Sequence, residues 1–122
     1  MNRTLLPMLL LPLALGACSY FSQTPDSALV TRVHQEIPVG VSTDDAEIKL
    51  GAMDFACSPV LKHGAYTDER GVDHENARYM QCLRKPSRIG FACENRDQVL
   101  IVPTADGKVG SIDVIRGPNC QP

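Results

Sequence analysis

Four cysteines, Cys57, Cys82, Cys93 and Cys120, are the residues best equipped for chemistry in this chain. Their spacing points to pairing rather than reactivity. No two of them form a C-x-x-C pair and no histidine stands at ligand spacing beside them, which disfavours a zinc site. A nucleophilic thiolate needs a neighbour that lowers its pKa, whereas an even set of cysteines in a small exported domain reads as a disulfide framework. Three connectivities are possible. The order of the predicted elements favours Cys57–Cys82 with Cys93–Cys120, each closing a loop of about 25 residues and restricting the unfolded chain by about 3 kcal/mol. A Cys82–Cys93 bridge is disfavoured. Side chains facing across adjacent strands lie parallel, while the bridge dihedral prefers about 90°.

The other reactive residue types form weaker patterns. His63, Asp68, Glu69, Asp73, His74 and Glu75 crowd one segment and are metal-type ligands, but a charged run in a loop is ordinarily solvated. Asp44 and Asp45 are adjacent, so on a helix they point about 100° apart and cannot share a substrate. No G-x-S-x-G run occurs and no serine comes with a recognisable base. Arg84, Lys85 and Arg88 gather at a predicted hairpin tip as a small basic patch, suited to solubility or to a headgroup or partner contact. These patterns assign no catalytic residue, no metal site and no cofactor, and they point away from an enzyme.

The fifth cysteine, Cys18, belongs to a different pattern. Arg3, an apolar run from Leu5 to Leu15 and small residues before a cut have the layout of a secretory leader. Leu15-Gly16-Ala17-Cys18 resembles a bacterial lipoprotein signal. That resemblance implies cleavage before Cys18, a diacylglyceryl group on its sulfur and an acyl chain on its amine. Residues 1–17 are then the signal peptide, 18–25 a lipidated tether and 26–122 a single domain. Ser19 follows the cysteine, which by the same resemblance favours the outer membrane over the inner one, with the domain facing the periplasm.

Length and charge bound the rest. The part after the leader has about 105 residues, enough for one domain. The formal charge of −2 becomes −3 once Arg3 leaves with the leader, too weak and mixed to argue for nucleic acid. No second apolar run approaches the ~20 residues of a spanning helix, so the lipid alone holds the membrane.

The elements follow from periodicity. Thr24-Pro25-Asp26 reads as a helix start, with a capping hydroxyl, proline at the first helical position and a carboxylate in the first turn. Leu29, Val33 and Ile37 then form one apolar stripe, with Arg32, His34, Gln35 and Glu36 on the wet side, until Pro38 and Gly40 stop it. A second helix starts at Ser42 and gathers Ala46, Leu50 and Met53 on one face. The segment from Phe55 to Asn76 reads as a long surface loop, with room for a short strand through Phe55 and Cys57 and an exposed turn at 67–71. From Ala77 the period is two, predicting strands at Tyr79–Leu83, Gly90–Cys93, Val99–Val102 and Val109–Ile115. Asn95-Arg96-Asp97 reads as a connection and Asp106-Gly107 as a hairpin turn. Phe91, Ile101, Ile112 and Val114 are the expected core face of the sheet.

The stretch from Gly40 to Gly51, Gly-Val-Ser-Thr-Asp-Asp-Ala-Glu-Ile-Lys-Leu-Gly, resembles the helix start of the small BamE/SmpA–OmlA-like envelope lipoproteins. The order of leader, helix, Gly-x-Ser turn, helix and hairpins is similar to theirs. Ala52 replaces a proline often found after Leu-Gly, and the four cysteines are not a feature of the typical member. The resemblance implies the fold and the envelope setting; a role in barrel assembly is not carried over with it. The expected fold class is therefore α+β, two short N-terminal helices packed on a three- to four-stranded antiparallel sheet stapled by disulfides. Two function classes fit: a non-catalytic structural or protein-interaction module meeting an envelope protein partner, and a small periplasmic binding or inhibitor protein. The second is favoured if the Phe55–Asn76 segment is rigid and reaches into a partner's cleft.

Overall fold

The computed structural model describes residues 24–85 and 94–119. The leader, the tether up to Gln23, Cys18, Arg88, the expected strand Gly90–Cys93 with Phe91, and Cys120 lie outside the described residues, so the Cys93–Cys120 pairing does too.

Both helices form where the apolar stripes lie, each begun by a side-chain cap. Helix α1 spans Ser27–Glu36 and is capped by Asp26, whose carboxylate accepts from the Ala28 amide at 3.3 Å. The cap is thus two residues later than Thr24, because the carboxylate reaches the free amides of the first turn and Pro25 falls before the helix rather than inside it. Leu29, Val33 and Ile37 are buried. Helix α2 spans Thr43–Ala52, with Ser42 accepting from the Asp45 amide at 3.1 Å and Asp44 and Asp45 in its first turn, beside the positive helix end. Ala46, Leu50 and Met53 are buried. The turn between the helices is bound to the sheet: the Gly40 and Thr43 amides donate to the carbonyls of Val109 and Gly107 at 2.9 and 3.0 Å.

Five strands are described: β1 Phe55–Cys57, β2 Lys62–Thr67, β3 Asp73–Arg84, β4 Glu94–Pro103 and β5 Val109–Asn119. All pairings are antiparallel, in the order β1-β3-β4-β5 with β2 also on β3. The segment expected as a long loop is instead β1, β2 and the start of β3. Its periodicity is hidden by a bulge: Gly64 pairs with Ala77 but Tyr66 with His74, so β3 carries one extra residue, and Asn76 takes a left-handed φ of 55° there. The extra residue shifts the alternation by one, so His74 and Tyr79 share a face although five positions separate them. Asn95-Arg96-Asp97 is not a connection but lies inside β4, and Gly117-Pro118 lies inside β5. The turn at Asp106-Gly107 joins β4 to β5 as expected, with Gly107 at φ 79°.

The core joins both helices to one sheet face. Leu29, Val33, Ile37, Ala46 and Leu50 pack with Met80, Cys82, Val99, Ile101, Ile112 and Val114 in one cluster. Ile101, Ile112 and Val114 therefore do what their alternation predicts. Cys57 and Cys82 are joined by a disulfide and are direct partners in the β1–β3 register. The pairing is the favoured one, but the geometric objection to bridges between neighbouring strands does not hold here: this bridge is such a bridge. Because side chains alternate along a strand, the opposite sheet face is left to Tyr79 and Gln81 of β3, Gln98 and Leu100 of β4, and Ile115 of β5.

Candidate functional site

That second face floors a cavity of about 770 Å³. Helix α1 builds one wall with Ser27, Val30 and Thr31, one stripe at i, i+3 and i+4, while Thr24 and Pro25 stand at its rim. The β2–β3 hairpin builds the other wall with Tyr66, Thr67, Asp68 and Glu69. Tyr66 stacks on His74, ring centroids 4.7 Å apart, and meets Tyr79 edge-on at 5.1 Å, so the aromatic wall is held in place by its own geometry. Leu100 is buried outside the helix-backed core cluster. The only polar pair on the floor with a described bond between side chains is Gln81 and Gln98, the Gln81 amide donating at 2.9 Å. An apolar floor with a few fixed polar groups, at this volume, is the form of a small-ligand or side-chain pocket.

The hairpin wall is fastened at its tip. Asp68 Oδ1 accepts from the Arg70 and Val72 amides at 2.9 and 3.0 Å, and Oδ2 lies 2.8 Å from His74 Nε2. The His74 bond, followed by the Val72 amide, holds the Asp68 carboxyl at about 2. Glu69 ties the tip to α1: His34 Nε2 lies 2.8 and 3.0 Å from its two carboxylate oxygens, which can only accept, so that nitrogen carries the proton. The Glu69 amide also donates to Asp113 Oδ1 of β5 at 3.3 Å. Burial, and then the charge of Asp113, push the Tyr66 hydroxyl above its ordinary pKa, while its bond to Ser111 pulls the other way.

A second cleft of about 450 Å³ shares Gln81 with the first and is lined by Cys57, Pro59, Lys62, Leu83, Lys85 and Arg96 among others. Of the expected basic patch, Arg84 and Lys85 both line this cleft, and Arg84 also donates to Asp97 at 3.0 Å. The expected metal-type cluster is divided: Asp68 pairs with His74, Glu69 with His34, and Asp73 accepts from Thr67, while His63 is exposed on β2. Among the described residues no three His, Cys, Asp or Glu side chains come together as a metal site, and no helix is long and apolar enough to cross a membrane. Alternation along β3 and β4 could have indicated the second face. Its polar members, Gln81 and Gln98, made that face read as solvent. His34, expected on the wet side of α1, is half exposed and clasps the hairpin.

Compared with known protein families, with curated proteins and with solved structures, the chain finds no match.

Proposed function

We propose that the chain is a lipid-anchored bacterial envelope lipoprotein, non-catalytic, that works as a binding module. The lipid-modified residue is Cys18, the setting is the periplasmic side of the outer membrane, and the partner is an envelope protein. The observation that carries the reading is the cavity on the second sheet face, walled by α1 on one side and on the other by a hairpin tied at both Asp68 and Glu69. A small domain that keeps an open apolar floor beside a membrane tether has a recognition surface at the place where an anchored neighbour can reach it. The rigid hairpin also favours the alternative of a small binding or inhibitor protein, because the segment 55–76 forms a fastened wall rather than a slack loop. The envelope setting in this reading comes from the Leu15–Cys18 and Gly40–Gly51 stretches of the sequence.

Two measurements on the full chain test this. Metabolic labelling with a fatty acid should mark the chain and fail to mark Cys18→Ser; equal label in both would end the anchoring proposal. Capture from solubilised membranes with the anchored chain as bait should return a reproducible envelope protein that Cys18→Ser does not return.

A further inference from the structure

The cavity meets the inner strands of the sheet and its edge strand β5 in different ways. From the inner strands it takes alternate residues, Tyr79 and Gln81 of β3 and Gln98 and Leu100 of β4, as one face of a sheet must. From β5 it takes Val114, Ile115 and Arg116 in succession. Successive side chains point to opposite faces, and Val114 belongs to the helix-backed core. A cavity that touches all three therefore wraps around the edge of β5. Among the described residues β5 pairs along its length with β4 alone. Main-chain bonds reach its outer side only at Val109, which accepts from Gly40 and donates to Val41. The hairpin tip is fastened to β5 at Asp113 through the Glu69 amide, and the edge just past that point opens into the cavity.

An edge strand presents unpaired N–H and C=O groups, and both groups of every second residue point away from the paired neighbour. At least one of Val114, Ile115 and Arg116 thus offers a donor and an acceptor to the open side. The ionic groups around the cavity are already engaged, Asp68 with His74, Glu69 with His34 and Arg116 with Asp97. What remains on offer is main-chain pairing beside the rings of Tyr66 and Tyr79 and the side chain of Leu100. We infer that an extended, uncharged segment of a partner protein adds to the outer edge of β5 as a further strand. Every second side chain of that segment, apolar or aromatic, enters the cavity. Main-chain bonds then supply affinity, and the aromatic wall and apolar floor supply selectivity. This deepens the binding reading and rests on it for the existence of a partner.

The probe is a short acetylated and amidated peptide alternating threonine with phenylalanine, added to the full chain in detergent. It should bind, and binding should slow hydrogen exchange of the β5 amides at 114–116. Thr31→Trp, which fills the cavity from an exposed helix position, should weaken binding severalfold. Two analogues of the peptide carry N-methyl groups, one on its phenylalanine amides and the other on its threonine amides. An added strand turns only one of these sets toward β5. One analogue should therefore lose affinity by about tenfold or more while the other stays within about threefold of the parent peptide. Equal affinity for all three peptides would overturn the inference and leave a side-chain pocket, with the binding reading intact. No binding, undiminished binding to Thr31→Trp, or dimers joined through β5 that the peptide does not separate would overturn it too. The expected peptide pattern alongside failed capture of any envelope protein would reject the envelope partner alone and keep the strand site.

Discussion

Cys57 and Cys82 stand opposite one another on β1 and β3, their Cα atoms 3.9 Å apart, and a disulfide joins them across 25 residues of chain. The bridge fastens the short edge strand β1, and the turn that follows it, to the long strand on which the sheet is built. Cys82 is fully buried, so the bond is also part of the core. Replacing both residues by alanine should lower stability by about 2–4 kcal/mol, through the freed unfolded chain. Chemical denaturation reads the difference; an unshifted midpoint would contradict the assignment. Peptide mapping without reduction should recover the two residues linked.

Leu50 and Ile48 lie on the same helix and differ in what they touch. Leu50 is fully buried in the core while Ile48 is 71% exposed. Leu50→Ala should cost about 2–4 kcal/mol, and Ile48→Ala no more than about 0.5 kcal/mol. Equal denaturation midpoints for the two variants would place the stripe of α2 wrongly.

The helices and the β4–β5 hairpin were legible because each is specified locally. Leu29, Val33 and Ile37 recur at the helical period, Ser42 is followed by two carboxylates, and Asp106-Gly107 supplies the left-handed turn residue. The β2–β3 hairpin was not legible. Its alternation is reset by the bulge at Asn76, and its inward residues are His74, Ala77 and Tyr79 rather than a branched aliphatic run. Asn95-Arg96-Asp97 misled for a different reason. Three polar residues resemble a turn, but Asp97 is buried by the two arginines that bracket it, a condition set by register and not by local sequence. The cavity was legible least of all, since it exists only where the hairpin, α1 and the sheet meet.

Asp97 accepts from Arg84 on one side at 3.0 Å and from Arg116 on the other at 2.9 Å, which makes a three-residue ladder across β3, β4 and β5. Asp97→Ala removes both charge-assisted bonds and leaves two cations side by side, so it should destabilise by about 2–3 kcal/mol. Arg84→Ala should cost clearly less, because that side chain is half exposed and Asp97 keeps its other partner. Denaturation of the two variants checks the order; a larger loss for Arg84→Ala would contradict it.

The Asp68 carboxyl titrates at about 2 in the folded chain, below its ordinary 3.8. A depressed carboxylate contributes stability that is complete above its unfolded value and lost as pH falls through the folded one. The window is therefore between about pH 4 and pH 2. Asp68→Asn should be less stable than the parent at neutral pH, and the gap should close as the pH drops through that window. Denaturation at several pH values reads the gap; one that stays constant down to pH 2 would show that the charge on Asp68 does not hold the hairpin tip.

The cavity, rather than the outer side of the helices, is the surface claimed to meet a partner. Thr31 lines it from α1, and Ile48 is exposed on α2 and does not line it. Both are exposed helix positions that accept arginine without breaking the fold. The most direct measurement is side-by-side capture from membranes with the parent chain, Thr31→Arg and Ile48→Arg as baits. The account predicts that Thr31→Arg loses the partner that the parent retains and that Ile48→Arg keeps it. Retention by Thr31→Arg together with loss by Ile48→Arg would contradict it.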